Sequence, residues 1–350
     1  MKKEILVAGF ALAGCVSAHA QTSVTLYGII DTNLEYVTHA NASGGSLVQE
    51  NSGGLSDSRF GIRGTEDLGG GNSAWFILED GFDANNGSFA SAGTIFNRTA
   101  AVGLSNAFGS LSAGLETTAM YDILINYDPM FFGQQNTWLP ASGASDSIAF
   151  KARMDNMLKY VAKFGGVTAT ADYSFGGDAG SFQSSAAYDA GFDYDAGSFG
   201  VAGVFEDRNG AVNSNESWTK TRNWSVAFRQ NVGSGKLLAG YEHYLYNPTE
   251  SASVSSSLWF GGMRYLITPS FNLTTAAYYQ SNKAAAASNA WMGVISADYI
   301  LSKSTDLYAT VAYAAATRDG NGAYTPVGIN NDTAFGPNQT GVTLGIRHRF

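Results

Sequence analysis

Charged side chains spaced by two are the first residues in this chain whose pattern could do chemistry. Arg59 and Arg63 flank Gly61 and alternate with Phe60 and Ile62, and Lys151 and Arg153 flank Ala152. At period two, such charges share one face of an extended strand. Arg98, in Asn97-Arg98-Thr99, falls on the polar face of its own segment. Between these basic stretches runs a long connection, 117–150, that carries Asp122, Asp128 and Asp146. Cations on a wall facing acids on a loop would set a transverse field across a narrow, water-filled slot, and rings of charge of this kind tune ion passage. The eight side chains Arg59, Arg63, Arg98, Lys151, Arg153, Asp122, Asp128 and Asp146 are therefore the candidate constriction residues.

Other chemistry is poorly supplied. After residue 20 the histidines are His39, His243 and His348, and none has metal-ligand spacing to another. Gly69-Gly70-Gly71 lacks the following Lys-Ser/Thr of a phosphate loop and reads as a turn. Only His39 falls near a loop rim, where a hydrolase would need a base beside its nucleophile. No enzyme activity, cofactor or metal is expected. The net charge of -9 argues against a nucleic-acid partner.

These charges need elements to hold them. Charged residues make up 14% of the chain, below the roughly 25% usual for soluble proteins. The mean hydropathy of -0.07 is far too low for a helical membrane protein, while 18 Tyr and 21 Phe exclude a disordered chain. Strands with one oily and one wet face fit both facts. Residues 1–20 read as a signal peptide: Lys2 and Lys3, an apolar core Ile5 to Leu12, then Ala18-His19-Ala20 before Gln21. Leu12-Ala13-Gly14-Cys15 also fits a lipoprotein box, but a strand beginning directly after Gln21 favours cleavage at Ala20. The exported unit, 21–350, has no run of about 18 apolar residues, so in a membrane it must be a closed barrel.

Period-two alternation runs through that unit. Val167, Ala169, Ala171, Tyr173 and Phe175 oppose Thr168, Thr170, Asp172 and Ser174; Val342, Leu344, Ile346, His348 and Phe350 share a face near the C-terminus. Seven short polar turns alternate with long loops: 67–72, 105–110, 163–166, 195–198, 231–235, 268–270 and 302–305. Seven hairpins plus one strand at each end predict an all-β, 16-stranded antiparallel transmembrane barrel with both termini at the short-turn end. A barrel of that size encloses an aqueous lumen. The long connections are expected at 39–57, 83–95, 117–150, 176–185, 207–222, 247–257, 281–290 and 315–339. Tyr27, Phe82, Trp259, Phe260, Trp291 and Tyr299 are expected in aromatic girdles. Tyr121, Tyr127, Phe131, Phe132 and Trp138 would pack the longest loop against the inner wall.

Several blocks together resemble the trimeric porins of the β-proteobacterial, Gram-negative outer membrane. They are Ser23-Val24-Thr25-Leu26-Tyr27-Gly28, Ser58-Arg59-Phe60-Gly61-Ile62-Arg63-Gly64-Thr65-Glu66-Asp67-Leu68-Gly69, Phe96-Asn97-Arg98 through Val102-Gly103-Leu104, Ala297-Asp298-Tyr299 through Tyr308, and Gly345-Ile346-Arg347-His348-Arg349-Phe350. The resemblance implies short periplasmic turns, long extracellular loops, and a third loop folded into the lumen opposite wall arginines at Arg59 and Arg98. It also implies a homotrimer among outer-membrane lipid and lipopolysaccharide. Phe350 would end a signature read by the barrel assembly machinery. Two positions depart from the family: Leu115 follows Gly114 where an Arg is common, and Pro129-Met130-Phe131-Phe132-Gly133 lacks the usual acid. The function implied is passive diffusion of ions and small hydrophilic solutes. A substrate-specific channel would instead saturate with one solute, and an adhesive surface barrel would conduct nothing.

Overall fold

The computed structural model describes residues 23–133, 135–139, 150–213, 217–249, 253–283, 288–318, 327–329 and 334–350. The segment expected to be a signal peptide, with Cys15, and the candidate Asp146 lie outside the described residues.

The chain forms β1 (Ser23–Val37), β2 (Leu47–Ser52), β3 (Arg59–Gly69), β4 (Asn72–Gly81), β5 (Thr99–Asn106) and β6 (Gly109–Thr117), then a short helix α1 (Ala119–Leu124). After it come β7 (Arg153–Phe164), β8 (Val167–Ser174), β9 (Ala187–Asp195), β10 (Phe199–Asn209), β11 (Lys220–Val232) and β12 (Gly235–Asn247). The last are β13 (Val254–Thr268), β14 (Phe271–Asn282), β15 (Ala290–Ile300), β16 (Thr305–Ala316) and β17 (Asn338–Arg349). Each of β3 to β17 pairs antiparallel with the next, and β17 returns to β1, from Ile29↔Arg349 to Val37↔Gly341. β2 and β3 occupy one position beside β1, so the closed barrel has sixteen strands. All seven expected short turns join strands here, because Gly, Asn, Asp and Ser supply the backbone freedom and side-chain acceptors that tight reversals need.

The segment 39–57, expected as a plain loop, contains β2. β1 is fifteen residues long and β3 covers only Ser23 to Ile29 of its edge. Leu47–Ser52 fills the rest, pairing with Thr32 to Val37 and satisfying amides that would otherwise stay bare in lipid. Between β2 and β3 the chain steps inward. Asp31 holds that step: its carboxylate accepts the amides of Gly54, Leu55 and Ser56 at 3.1, 3.0 and 2.8 Å, and the Tyr308 hydroxyl.

Alternation sorts the two faces as the hydropathy pattern requires. Val102, Leu104, Val226, Ile295, Val311 and Leu344 are exposed on the outside, where lipid takes the place of water. Thr170, Asp172, Glu206, Ser225 and Thr310 turn inward and are buried. Trp259, Trp291 and Tyr299 face outward as girdle residues should. Tyr27 and Phe260 do not. The Tyr27 hydroxyl donates to Glu79 inside the barrel at 3.0 Å, and Phe260 is 4% exposed against the inner apolar cluster. Position near a strand end marks height along the barrel, whereas parity decides the face.

The lumen is crossed by the segment between β6 and β7. Its Ala119, Met120, Ile123, Leu124, Tyr127, Met130, Trp138 and Leu139 are buried in one cluster with Val204, Tyr244, Tyr278 and Met292 of the wall. This third loop lies inside the barrel, and its aromatics pack it there. Phe131 is the exception, left 53% exposed to the channel.

Candidate pore constriction

Backbone amides anchor the third loop first. The Thr118 side chain caps α1, accepting the Tyr121 amide at 3.2 Å, while its hydroxyl reaches the Lys151 carbonyl at 2.8 Å. Three acids on consecutive strands take amides at the loop's two ends. Asp172 accepts Ala119 N at 2.7 Å, Asp189 accepts Met120 N at 3.3 Å and Glu206 accepts Lys151 N at 3.0 Å. Asp172, Asp189 and Glu206 stand opposite one another in register, so they form one row across β8, β9 and β10. Sequence reasoning missed this row. Asp172 was legible as a polar-face residue, but alignment of the three acids depends on strand register.

Asp128 makes the second anchor, on the β13–β14 wall. Its carboxyl is fully buried and accepts the Phe132 amide at 2.8 Å, the Thr137 hydroxyl at 3.0 Å and the Tyr278 hydroxyl. Burial pushes this carboxyl above the ordinary carboxylate range, and the Tyr278 and Phe132 hydrogen bonds pull it back. Arg264 donates to the Asp128 and Pro129 carbonyls, and its guanidinium lies against the Phe131 ring. The expectation set Asp128 across from Arg59 and Arg98. It is instead a loop-to-wall tie with no face on the channel.

The other described candidates lie on the inner wall and on α1. Arg59 and Arg63 share the inward face of β3, as their spacing required. Arg59 lies 3.6 Å from Glu79, and Arg63 is over the Tyr27 ring at 5.1 Å. Arg98 is nearly enclosed: Nε donates to Glu79 at 2.8 Å and Nη1 pairs with Asp57. The two wall arginines thus meet two acids that the sequence reading did not weigh, Glu79 and Asp57. Asp122 on α1 pairs with Lys159 of β7 and accepts the Thr117 hydroxyl at 2.6 Å. The loop acid therefore answers Lys159 rather than the arginines. Lys159 was missed because its partner lies 37 residues away on a helix whose phase was not predicted.

Lys151 and Arg153 differ from these. The Arg153 guanidinium rests on the Tyr121 ring at 5.3 Å, with Nε buried and without a hydrogen-bond partner. Lys151 is exposed. Neither pairs with a carboxylate among the described residues. With Arg208 and one acid, Asp155, they line a cavity of about 670 Å³ that Ser91 and Asn97 also line. Phe350 closes the barrel on the outside. Its amide and carbonyl pair with Gly28 at 3.0 Å each way, and its ring covers Gly28, where a Cβ would also stand 2.7 Å from the Arg59 carbonyl.

No helix among the described residues is long and apolar enough to cross a membrane. Comparison with known proteins agrees with the geometry. Residues 6–320 match the Gram-negative porin family. The chain is 30% identical to outer membrane porin protein 32 of Delftia acidovorans, over 99% of this chain and 100% of that protein. It is 29% identical over 212 residues to the major outer membrane protein P.IB of Neisseria meningitidis serogroup B, covering 57% of each. An anion-selective porin from Comamonas acidovorans superposes with a TM-score of 0.82 at 26% identity, over 94% of this chain and all of that one. OmpT of Vibrio cholerae shares the fold, with a TM-score of 0.68 at 14% identity. A closed sixteen-stranded barrel, an inward face rich in polar side chains and a loop folded across the lumen complete the case: the chain belongs to the Gram-negative porin family and is a passive diffusion channel of the outer membrane.

Proposed function

We propose that this channel is a general-diffusion pore for small hydrophilic solutes with a local preference for anions at its constriction. The observation that carries the reading is the contrast between paired and unpaired charge. Arg59 and Arg98 are offset by Glu79 and Asp57, and Lys159 by Asp122. Lys151 and Arg153 form no ion pair among the described residues, and both line one cavity, where Asp155 is the acid beside Lys151, Arg153 and Arg208. Net positive charge on a low-dielectric wall concentrates anions along the path. The structurally similar protein of Comamonas acidovorans is an anion-selective porin, in keeping with this sign. Leu115 and Met130, where the resemblance suggested charge, keep the preference modest.

The test is the zero-current potential of the purified protein in a planar bilayer under a potassium chloride gradient. The reading expects a shift toward the chloride potential at low salt; a shift toward the potassium potential would refute it. Saturation of flux by one solute would favour the substrate-specific alternative, and absence of conductance the adhesive one. We also infer a homotrimer. The exposed apolar side chains Val24 and Leu26 on β1 and Val102 and Leu104 on β5, each at least 60% exposed, offer a flat surface for a second copy. The C-terminal Phe350 is proposed as the contact that the assembly machinery reads.

A further inference from the structure

At the short-turn end of β11 to β14 lies a second cavity, of about 440 Å³, lined by the wall and by Phe131 of the third loop. Asn231, Lys236 and Arg264 stand opposite one another in register across β11, β12 and β13, and period-two spacing turns all three inward. Leu266 and Asn272, themselves a pair, lie next to this row on the side of the turns.

Phe131 is held there against its own backbone preference. Its φ is 56° and that of Phe132 is 51°, in the left-handed region that residues with a Cβ rarely adopt. Two anchors impose the turn: the Phe132 amide donates to the buried Asp128 carboxyl, and Arg264 donates to the Asp128 and Pro129 carbonyls. The Arg264 guanidinium also covers one side of the Phe131 ring. The ring still keeps 53% of its surface exposed, while Tyr127 and Trp138 of the same loop are buried. A ring fixed by strain and presented to water offers a flat surface on which another ring can stack.

The polar half of the cavity is cationic. Lys236 makes no ion pair among the described residues, and the acid that acts on it, Asp195, is held by Arg229 at 2.9 Å. Arg264 spends its donors on carbonyls, and the Asp128 carboxyl near it is fully buried. Asn272 adds an amide donor, and Leu266, 42% exposed, an apolar flank. An ammonium beside a flat apolar surface matches a flat ring that carries a carboxylate. We propose that this cavity is a subsite for monocyclic aromatic carboxylates, with the ring stacked on Phe131 and the carboxylate on Lys236 and Asn272. The subsite rests on the reading of the lumen as a solute path and adds a solute class to it.

The test is ion current through the purified full-length protein in a planar bilayer, titrated with sodium benzoate at constant ionic strength. Each protein is compared with its own unblocked current. Wild type should show a saturable fall in current with benzoate. Over the same range it should show none with acetate, which lacks the ring, or with benzyl alcohol, which lacks the charge. Phe131→Leu and Lys236→Gln should each raise the half-blocking concentration roughly three- to tenfold. Lys236→Gln lies on the wall, outside the anchors of the loop, so it tests the subsite even where Phe131→Leu disturbs the turn. Heat-modifiable migration confirms that each barrel is folded. Absence of saturable block in wild type would overturn the proposal. So would equal block by acetate or benzyl alcohol, or wild-type block in both variants. A reversal potential on the potassium side with benzoate block intact would refute the anion preference and leave the subsite standing.

Discussion

Arg98 donates through Nε to Glu79 at 2.8 Å and meets Asp57 with its other arm, so one nearly enclosed cation of the constriction is compensated by two acids. Removing it does more than delete a positive charge, because two carboxylates would then share the nearby Arg59. Arg98→Ala should shift the zero-current potential toward cations, and Arg59→Ala should do the same to a smaller extent. Both should keep wild-type heat-modifiable migration on gels. An unchanged potential at low salt in both variants would show that this cluster does not shape the field.

Asp122 and Lys159 make the converse case. The pair joins the loop helix to the β7 wall, and Lys159 also reaches the Thr117 carbonyl at 2.7 Å. Asp122→Asn removes that ammonium's ion-pair partner while keeping a hydrogen-bond acceptor. The expected outcome is a shift toward anions, read from the same reversal potential. A shift toward cations would mean that Lys159 is screened from the path.

Asp128 is expected to behave differently from both, since it carries position rather than field. Asp128→Ala leaves the Tyr278 and Thr137 hydroxyls and the Phe132 amide without their acceptor. That destabilises the seated loop by about 2–3 kcal/mol without breaking any strand pairing. Single-channel records should show larger conductance and more open-channel noise, with selectivity changed less than in Arg98→Ala. Quiet, wild-type conductance would argue that the amides held by Asp172, Asp189 and Glu206 seat the loop unaided.

Much of this was readable in the residues, and the failures have physical causes. Period-two spacing put Arg59 and Arg63 on one face, and turn chemistry located all seven hairpins, because both signals are local. The compensation of Arg59 and Arg98 was not readable. Glu79 reaches them across a strand pair, and Asp57 through an inward step that Asp31 holds from β1. Asp128 looked like a pore acid because a carboxylate on a lumen loop is exposed until the packing of Tyr278 and Arg264 is known. Tyr27 and Phe260 were assigned to the girdle by height alone, which ignores parity.

The proposed trimer has a direct readout. Unboiled, detergent-extracted protein should migrate near three times the monomer mass and collapse on heating, and native mass spectrometry should give a three-chain species. A monomer under the mildest detergents would leave the outward apolar surface of β1 and β5 to lipid alone.

The central claim is that unpaired wall cations beside the third loop, Lys151 and Arg153, give the channel its preference. The most direct measurement is the zero-current potential of Lys151→Ala/Arg153→Ala against wild type, in a salt gradient near 0.1 M and again near 1 M. The account predicts a shift toward cations at low salt that largely vanishes at high salt, as the screening length falls from about 10 Å to about 3 Å. A variant that conducts with wild-type selectivity near 0.1 M would contradict it.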